Sequence, residues 1–397
     1  MNRREFLISG AALTATAGMT AKSYAAIAGA NDRVNLGVIG TGRRATEVTA
    51  GFVQDSRVNV VALCDIYGKQ IDTFKNERRL KSHIADAATF VECEPLFARK
   101  DIDSVLIATP DHLHVQVATA ALDANKNVYL EKPTLHRWHE RTALESAASR
   151  SKKVLQCGMQ QRSGAHYLKA KEEIFDTGKL GDVVLVRAVW HNFPWQRRDI
   201  PNEPKPADLR WDLFLGPAPK VPYETARYSS WRSYHAYGNG LLADILTHWA
   251  DVAQWMMDDH APVRATALGG DYVLRDDRDN PDTVSAIIQY KKWNLNFESS
   301  VLSIKDPTPS VYFEGTKGTL NLTRGGYTLT PNDGEPVVLD AHQSLEQAHA
   351  KSFLDAVILG TKTPAPLAIG LDATMPVEMA LRSYWDRKTI TQADLAS

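Results

Sequence analysis

The residues most suited to chemistry begin with Gly40-Thr41-Gly42-Arg43-Arg44-Ala45, which follows the apolar run Val34–Ile39. Gly40 permits a tight turn, Gly42 lets the backbone approach a pyrophosphate, and Ala45 takes the small position where a helix packs on a strand. The start of that helix offers free N–H groups and a positive dipole. Thr41 and Arg43 lie in the same turn and are expected to touch the bound dinucleotide. A second apolar run, Val58–Leu63, ends at Cys64-Asp65. A carboxylate there accepts hydrogen bonds from an adenosine ribose and repels a 2′-phosphate, so the pattern predicts NAD in preference to NADP. Lys69, Arg43 and Arg44 would soften that preference.

Two further motifs carry groups that move protons. Glu131-Lys132-Pro133 closes the strand-like run Asn127–Leu130. Pro133 stops the strand and keeps the residues before it extended. Lys132 can then face a nicotinamide and a substrate hydroxyl, steadying an alkoxide or passing a proton. Asp244 and His248 lie four residues apart in a helical stretch, which predicts a shared face. Histidine is the natural base at neutral pH, and a neighbouring carboxylate can orient it. Gln161 and Arg162 follow another strand end and are expected to reach nicotinamide or substrate. His191 (in Trp190-His191-Asn192) and Trp231-Arg232 offer aromatic faces and donors of the kind sugars need. His112 and His114 have a His-x-His spacing, but no clustered carboxylate or thiol supports a metal site. A cofactor-lining role for His114 is the expectation, and no metal is expected.

These motifs need elements to position them. In the first half, strand-like runs alternate with helical spacing: Val34–Ile39, Val58–Leu63, Ser104–Ala108, Asn127–Leu130 and Val154–Cys157 are separated by stretches such as His114–Ala124 and Arg137–Ser149. Alternation implies a parallel sheet with its active edge at the strands' C-terminal ends, where each polar motif falls. In the second half, Val183–Trp190, Val263–Gly269, Thr283–Tyr290, Asn294–Val301, Val311–Glu314 and Thr319–Leu322 read as strands. Gly240–Met257 reads as one helix, and Leu345–Leu359 and Ala373–Tyr384 as two more. Phe193–Tyr237, rich in Pro, Trp and Arg, shows little periodicity and is expected to be a structureless lid, pocket wall or intersubunit arm.

Thr109-Pro110-Asp111-His112-Leu113-His114, followed by Glu131-Lys132-Pro133, resembles the Gfo/Idh/MocA family of nicotinamide-dependent sugar oxidoreductases. Gly158-Met159-Gln160-Gln161-Arg162-Ser163 and Trp211-Asp212-Leu213-Phe214-Leu215-Gly216-Pro217 resemble its secreted bacterial branch. The resemblance implies an α/β fold: an N-terminal Rossmann domain, then an α/β domain with an open, mostly antiparallel sheet carrying substrate and oligomer contacts. The domains are expected at 31–152 and 153–397, with the C-terminal helices packing back on the first. The resemblance also implies that Thr109 and Glu131 line the cofactor. It further implies that Lys132, Asp244 and His248 surround a reacting carbinol. Gly238-Asn239-Gly240 departs from the glycine-rich turn that many relatives carry closer to the aspartate.

The expected activity is NAD-dependent hydride transfer at a carbinol of a sugar or cyclitol. The alternative is a redox-neutral glycosidase or lyase, which oxidises its substrate transiently, eliminates, adds water and returns the hydride. A dismutase reducing a second sugar is a related possibility. Residues 1–30 bear on this choice. Arg3-Arg4 precedes a short apolar run, Leu7–Met19, and the small residues Ala25, Ala26 and Ala28, the order of a twin-arginine export signal. Periplasmic or secreted placement, away from a soluble nicotinamide pool, favours a tightly held cofactor. The whole chain has 397 residues, 44% of them hydrophobic, and a formal net charge of −1. That suits two large cores and gives no sign of nucleic-acid or membrane binding after signal cleavage. Cys64, Cys93 and Cys157 lie far apart in sequence, indicating neither a zinc site nor a disulfide framework. An open sheet face suggests a homo-oligomer.

Overall fold

The computed structural model describes residues 33–191, 200–274, 276–301 and 309–396. The proposed export signal and part of the arm, including Phe193, lie outside them. Six strands form the first sheet: β1 (Val34–Ile39), β2 (Val58–Cys64), β3 (Ala88–Phe90), β4 (Ser104–Ile107), β5 (Asn127–Leu130) and β6 (Leu155–Cys157). All pair in parallel, in the order β3-β2-β1-β4-β5-β6. This is the doubly wound order whose C-terminal edge holds dinucleotides. The sheet runs through Cys157, past the boundary expected at 152.

Burial on both faces explains the near-continuous apolar strands. Leu36 and Val38 of β1 pack with Val48 and Phe52 of helix α1 (Arg43–Phe52). Ile39 points into the opposite core with Ile107 and Leu130. The next helix, α2 (Gly68–Lys75), follows β2 at the same edge.

The second sheet has nine strands. They are β7 (Val183–Val189), β8 (Arg264–Gly270), β9 (Thr283–Gln289), β10 (Asn294–Ser300), β11 (Ser310–Gly315), β12 (Gly318–Thr323), β13 (Gly326–Pro331), β14 (Val337–Asp340) and β15 (Ile390–Thr391). Their order is β14-β13-β12-β11-β7-β10-β9-β8-β15, antiparallel except where β7 meets β10. One face carries alternating buried residues such as Val284, Ala286 and Ile288 against α3 (Thr247–Met257) and α5 (Leu367–Asp386). Between them in sequence, α4 (Leu345–Leu359) returns to the first domain, where Phe353 meets Phe52 and Tyr129 edge-on. Salt bridges from Arg57 to Asp355 (2.8 Å) and from Arg44 to Glu346 (3.2 Å) pin the same helix.

Two expectations need correction. The arm is not structureless: it contains short helices at Trp211–Leu215 and Thr225–Ser229. Its Trp211, Phe214, Tyr234 and Tyr237 form a small aromatic core of their own, with Ile66 of the first domain packed against it. Gly240–Met257 is not one regular helix either: Leu242–Leu246 is a π-helical turn ahead of α3. Cys64 and Cys93 are free thiols, yet folding brings their Sγ atoms within 3.8 Å.

Candidate active site

The dinucleotide groove forms where β1 turns into α1. Gly40 has φ +77°, and a Cβ there would lie 2.8 Å from the Ala108 carbonyl oxygen. Only glycine meets both constraints. A Cβ at Gly42 would meet nothing within 4 Å, so open space lies before it. Gly42 is extended at the N-cap of α1, and no side chain caps the helix. The helix therefore presents unsatisfied N–H groups to that space, as a pyrophosphate requires. Arg43 is the exposed first residue of α1, within 4.0 Å of Glu47. Thr41 is fully buried, and its N–H and hydroxyl both donate to Asp65 Oδ2, at 2.8 and 2.9 Å. Tyr67 N–H donates to Oδ1 at 3.1 Å. Thr41 thus fixes the Asp65 carboxylate at the end of β2, where the dinucleotide groove opens.

At the end of β4, the Thr109 hydroxyl is buried without a partner among the described residues, and the Gln161 side-chain amide nitrogen is likewise unpaired. Buried polar groups left unpaired are costly. They fit a ligand bearing acceptors, such as a nicotinamide carboxamide. Together with the glycine turn and Asp65, they make this a site that NAD fits.

His114 plays a different part from the one expected. Its ring lies between Pro133 O (2.7 Å from Nδ1) and Thr109 O (3.1 Å from Nε2). Burial holds its pKa below the ordinary value. The neutral ring donates only once, and the shorter contact, to Pro133, takes the proton. His114 is therefore bonded to the Pro133 carbonyl, with its other ring nitrogen facing the Thr109 carbonyl, and neither nitrogen points away from the backbone. Glu131 is also committed, in an ion pair with Arg44 at 3.0 Å and as acceptor from Gln160 at 2.8 Å. Arg162 Nε donates to Asp251 at 2.7 Å in a buried ion pair that braces α3, while its Nη2 is buried without a partner among the described residues.

Lys132 and Asp244 form a direct ion pair, and Lys132 Nζ also donates to the Asp244 carbonyl at 2.9 Å. Arg232 Nε approaches the same carboxylate at 3.6 Å and stacks over Trp231 at 4.1 Å. Burial opposes ionisation of Asp244, but Lys132 and Arg232 outweigh it and hold the carboxyl below its usual range. His248 does not pair with Asp244. The π-helical turn adds a residue to that stretch and removes the four-residue register. Instead His248 Nδ1 meets Gln161 Oε1 at 3.2 Å, and its ring stacks on Trp190 with centroids 5.6 Å apart. An amide oxygen only accepts, so Nδ1 carries the proton and Nε2 keeps its lone pair. Burial first, then Lys132, Arg324 and Arg44, hold the imidazole well below its ordinary pKa. His191 is half-buried, with its Nδ1 unpaired among the described residues.

Three contributors were not singled out from the sequence. Arg324 lies over Trp190 at 5.9 Å and bridges to Glu346 at 3.0 Å. No local pattern marks either residue, because contacts across distant segments bring them here. Asp111, by contrast, sits inside the Thr109–His114 motif. It is 4% exposed and accepts no side-chain hydrogen bond among the described residues. Burial raises its pKa to about 7, with Arg232 and Lys132 opposing and Asp244 adding to the rise. Among the described residues, no three His, Cys, Asp or Glu side chains are grouped to hold a metal ion.

The parallel sheet carries Asp65 and Lys132 at the C-terminal ends of its strands, and the open-sheet domain brings Asp244 to Lys132 and His248 to Gln161. The chain belongs to the Gfo/Idh/MocA family. Residues 34–159 match the profile described as "Oxidoreductase family, NAD-binding Rossmann fold", and residues 214–321 match the family's C-terminal domain. The chain is 33% identical over 154 residues to "Oxidoreductase P35" of Formosa agariphila, covering 38% of this chain and 46% of that protein. It is 29% identical over 162 residues to inositol 2-dehydrogenase of Salmonella typhimurium, covering 40% and 45%. The chain thus spans about half the length of these relatives. Among solved structures, levoglucosan dehydrogenase in complex with NADH and L-sorbose superposes with a TM-score of 0.72 at 15% identity, covering 91% of this chain and 99% of that one. Aldose-aldose oxidoreductase from Caulobacter crescentus, complexed with glycerol, gives 0.69 at 18% identity, covering 90% and 99%. These likenesses establish the fold.

Proposed function

We propose that the protein oxidises a carbinol of a sugar or cyclitol, with NAD as the hydride acceptor. The observation that carries this reading is the commitment of His248 Nδ1–H to Gln161, which leaves Nε2 as a base in a cleft held by Lys132. NAD, when bound, takes the hydride. His248 Nε2 accepts the hydroxyl proton, Lys132 steadies the negative charge that develops on oxygen, and Asp244 holds Lys132 in place. Arg232 and Trp231 offer a donor and an aromatic face to the polyhydroxylated ring, with His191 nearby in sequence to the Trp190 stack. The names of the relatives, inositol and levoglucosan dehydrogenases, agree with a substrate rich in hydroxyls. The test is a panel of sugars and cyclitols incubated with the purified protein and NAD, read by nicotinamide absorbance. No reduction with any of them, under conditions where NAD binds, would refute net oxidation.

One observation favours a second reading, redox-neutral glycoside hydrolysis or elimination. The arm packs directly on the first domain beside Asp65: Arg210 N–H donates to Ile66 O at 3.0 Å, and Tyr228 meets Tyr67 edge-on at 6.0 Å. An arm docked beside the adenosine end suits a cofactor retained between turnovers. Release of aglycone from glycosides without added NAD distinguishes this reading. Export by Arg3-Arg4 and assembly through the second sheet complete the proposal. Leu268 and Ile287 stand exposed on neighbouring strands at 74% and 53%, apolar side chains that a second copy could cover.

A further inference from the structure

We propose that Asp208, a residue of the arm, is a second determinant of cofactor choice and acts with Asp65 to exclude a 2′-phosphate. The inference rests on the NAD-binding groove and on where the arm docks. Asp65 ends β2, and the chain then runs through Ile66 and Tyr67 to Gly68, the first residue of α2. In Rossmann domains this corner receives the adenosine ribose, and residues beside the acidic one decide whether a 2′-phosphate is accommodated. A Cβ at Gly68 would lie 3.1 Å from Asp208 Oδ2. The arm therefore carries a carboxylate to the backbone of the ribose corner.

The placement is anchored on both sides. Arg210, two residues on, gives its N–H to Ile66 O at 3.0 Å. Its guanidinium pairs with Glu92 of the first domain at 3.0 Å. Ile66 packs against the aromatic core of the arm, next to Trp211 and Phe214. Burial first, then Asp65, the neighbouring tyrosines and Asp208, push the Tyr228 hydroxyl well above the ordinary pKa.

The charges at this corner compete. Arg43 and Lys69 are exposed cations at the starts of α1 and α2 and would attract a 2′-phosphate. Asp65 is held at this corner by Thr41, and Asp208 answers the cations from the arm. A phosphate carries close to two negative charges at neutral pH, whereas a ribose hydroxyl carries none. The repulsion from Asp208 therefore falls on NADP and leaves NAD almost untouched. Asp208 is exposed, so solvent and salt weaken its effect.

The test is calorimetric titration of NAD and NADP into the full-length protein, comparing wild type with Asp208→Asn, Asp208→Glu and Asp65→Ser. The expected result is NADP affinity raised about fivefold at low salt in Asp208→Asn, with NAD affinity changed less than twofold. Asp208→Glu should behave as wild type, and the gain should shrink at high salt. An unchanged ratio of the two affinities in Asp208→Asn, beside a shifted ratio in Asp65→Ser, would leave discrimination to Asp65 alone and overturn the proposal. Equal weakening of both cofactors would also overturn it, since Asp208 would then only hold the arm. A wild type that binds neither cofactor would instead count against the NAD groove itself.

Discussion

Gln161 holds His248: its Oε1 accepts the Nδ1–H at 3.2 Å, in the place where helical spacing would put Asp244. A neutral amide fixes the tautomer without favouring the imidazolium, and burial already disfavours that charge. Gln161→Leu should therefore lower the hydride-transfer step, because the ring loses its orientation and its N–H becomes an unsatisfied buried donor. Gln161→Glu should raise the pKa of His248, since a carboxylate stabilises the charged ring. The acid limb of the pH–rate profile should then move to higher pH. An acid limb unmoved in Gln161→Glu would show that this contact does not set the base.

Asp244 acts on the lysine. The pair is buried, with side chains 7% and 13% exposed; losing Asp244 leaves the Lys132 charge uncompensated, and losing Lys132 leaves Asp244 only the more distant Arg232 at 3.6 Å. Asp244→Asn should cost activity nearly as much as Lys132→Ala, and the double variant should be little worse than either single one. A double-mutant cycle on single-turnover hydride transfer reads this directly. Additive losses would mean that the two residues act separately.

The parts of this site visible in the sequence are those made within one strand end. Gly40, Gly42 and Asp65 are local signals, and each appears in the structure at the edge where parallel strands place it. The Glu131-Lys132-Pro133 motif was legible as a strand terminus, but the partners of its side chains were not. Arg44 captures Glu131 across the sheet, and Asp244 captures Lys132 from another domain. The Asp244–His248 register failed because a π-helical turn has the same apolar pattern as an α-helix over five residues. The short strands β13 to β15 were missed for a related reason: β14 is largely exposed and lacks the alternation that marks a half-buried strand. Arg162 is legible as a charged residue beside a strand end, but its buried partner Asp251, on a distant helix, is not.

Asp111 gives a stability prediction with a definite sign. Its folded-state pKa, about 7, lies above the value near 3.9 of an unfolded aspartate. Between those values the folded state binds more protons, so this group makes stability fall as pH rises through the window. Asp111→Asn removes that dependence. Relative to wild type, the variant should be little changed near pH 4 and should gain stability toward pH 8. The gain should approach about 1.4 kcal/mol per pH unit within the window. Denaturant midpoints measured at several pH values give the comparison. A constant difference between variant and wild type would place the Asp111 carboxyl at an ordinary pKa.

The role of His248 as base makes the last prediction. Its pKa is held well below the ordinary histidine value, by burial and then by Lys132, Arg324 and Arg44. The base-competent neutral form should therefore persist below pH 6.5, and the acid limb of kcat/KM should lie on the acid side of that value. Replacing Arg324 with Gln removes one of the cations and the contact over Trp190, so the limb should move upward toward the ordinary value. His248→Ala should slow single-turnover hydride transfer by about 10²- to 10⁴-fold, the usual cost of losing a general base. NAD affinity should stay near wild type, because the glycine turn at Gly40–Gly42 and Asp65 lie in the first domain, away from His248. Near wild-type transfer in His248→Ala would falsify the assignment. A base other than His248 would then have to take the hydroxyl proton.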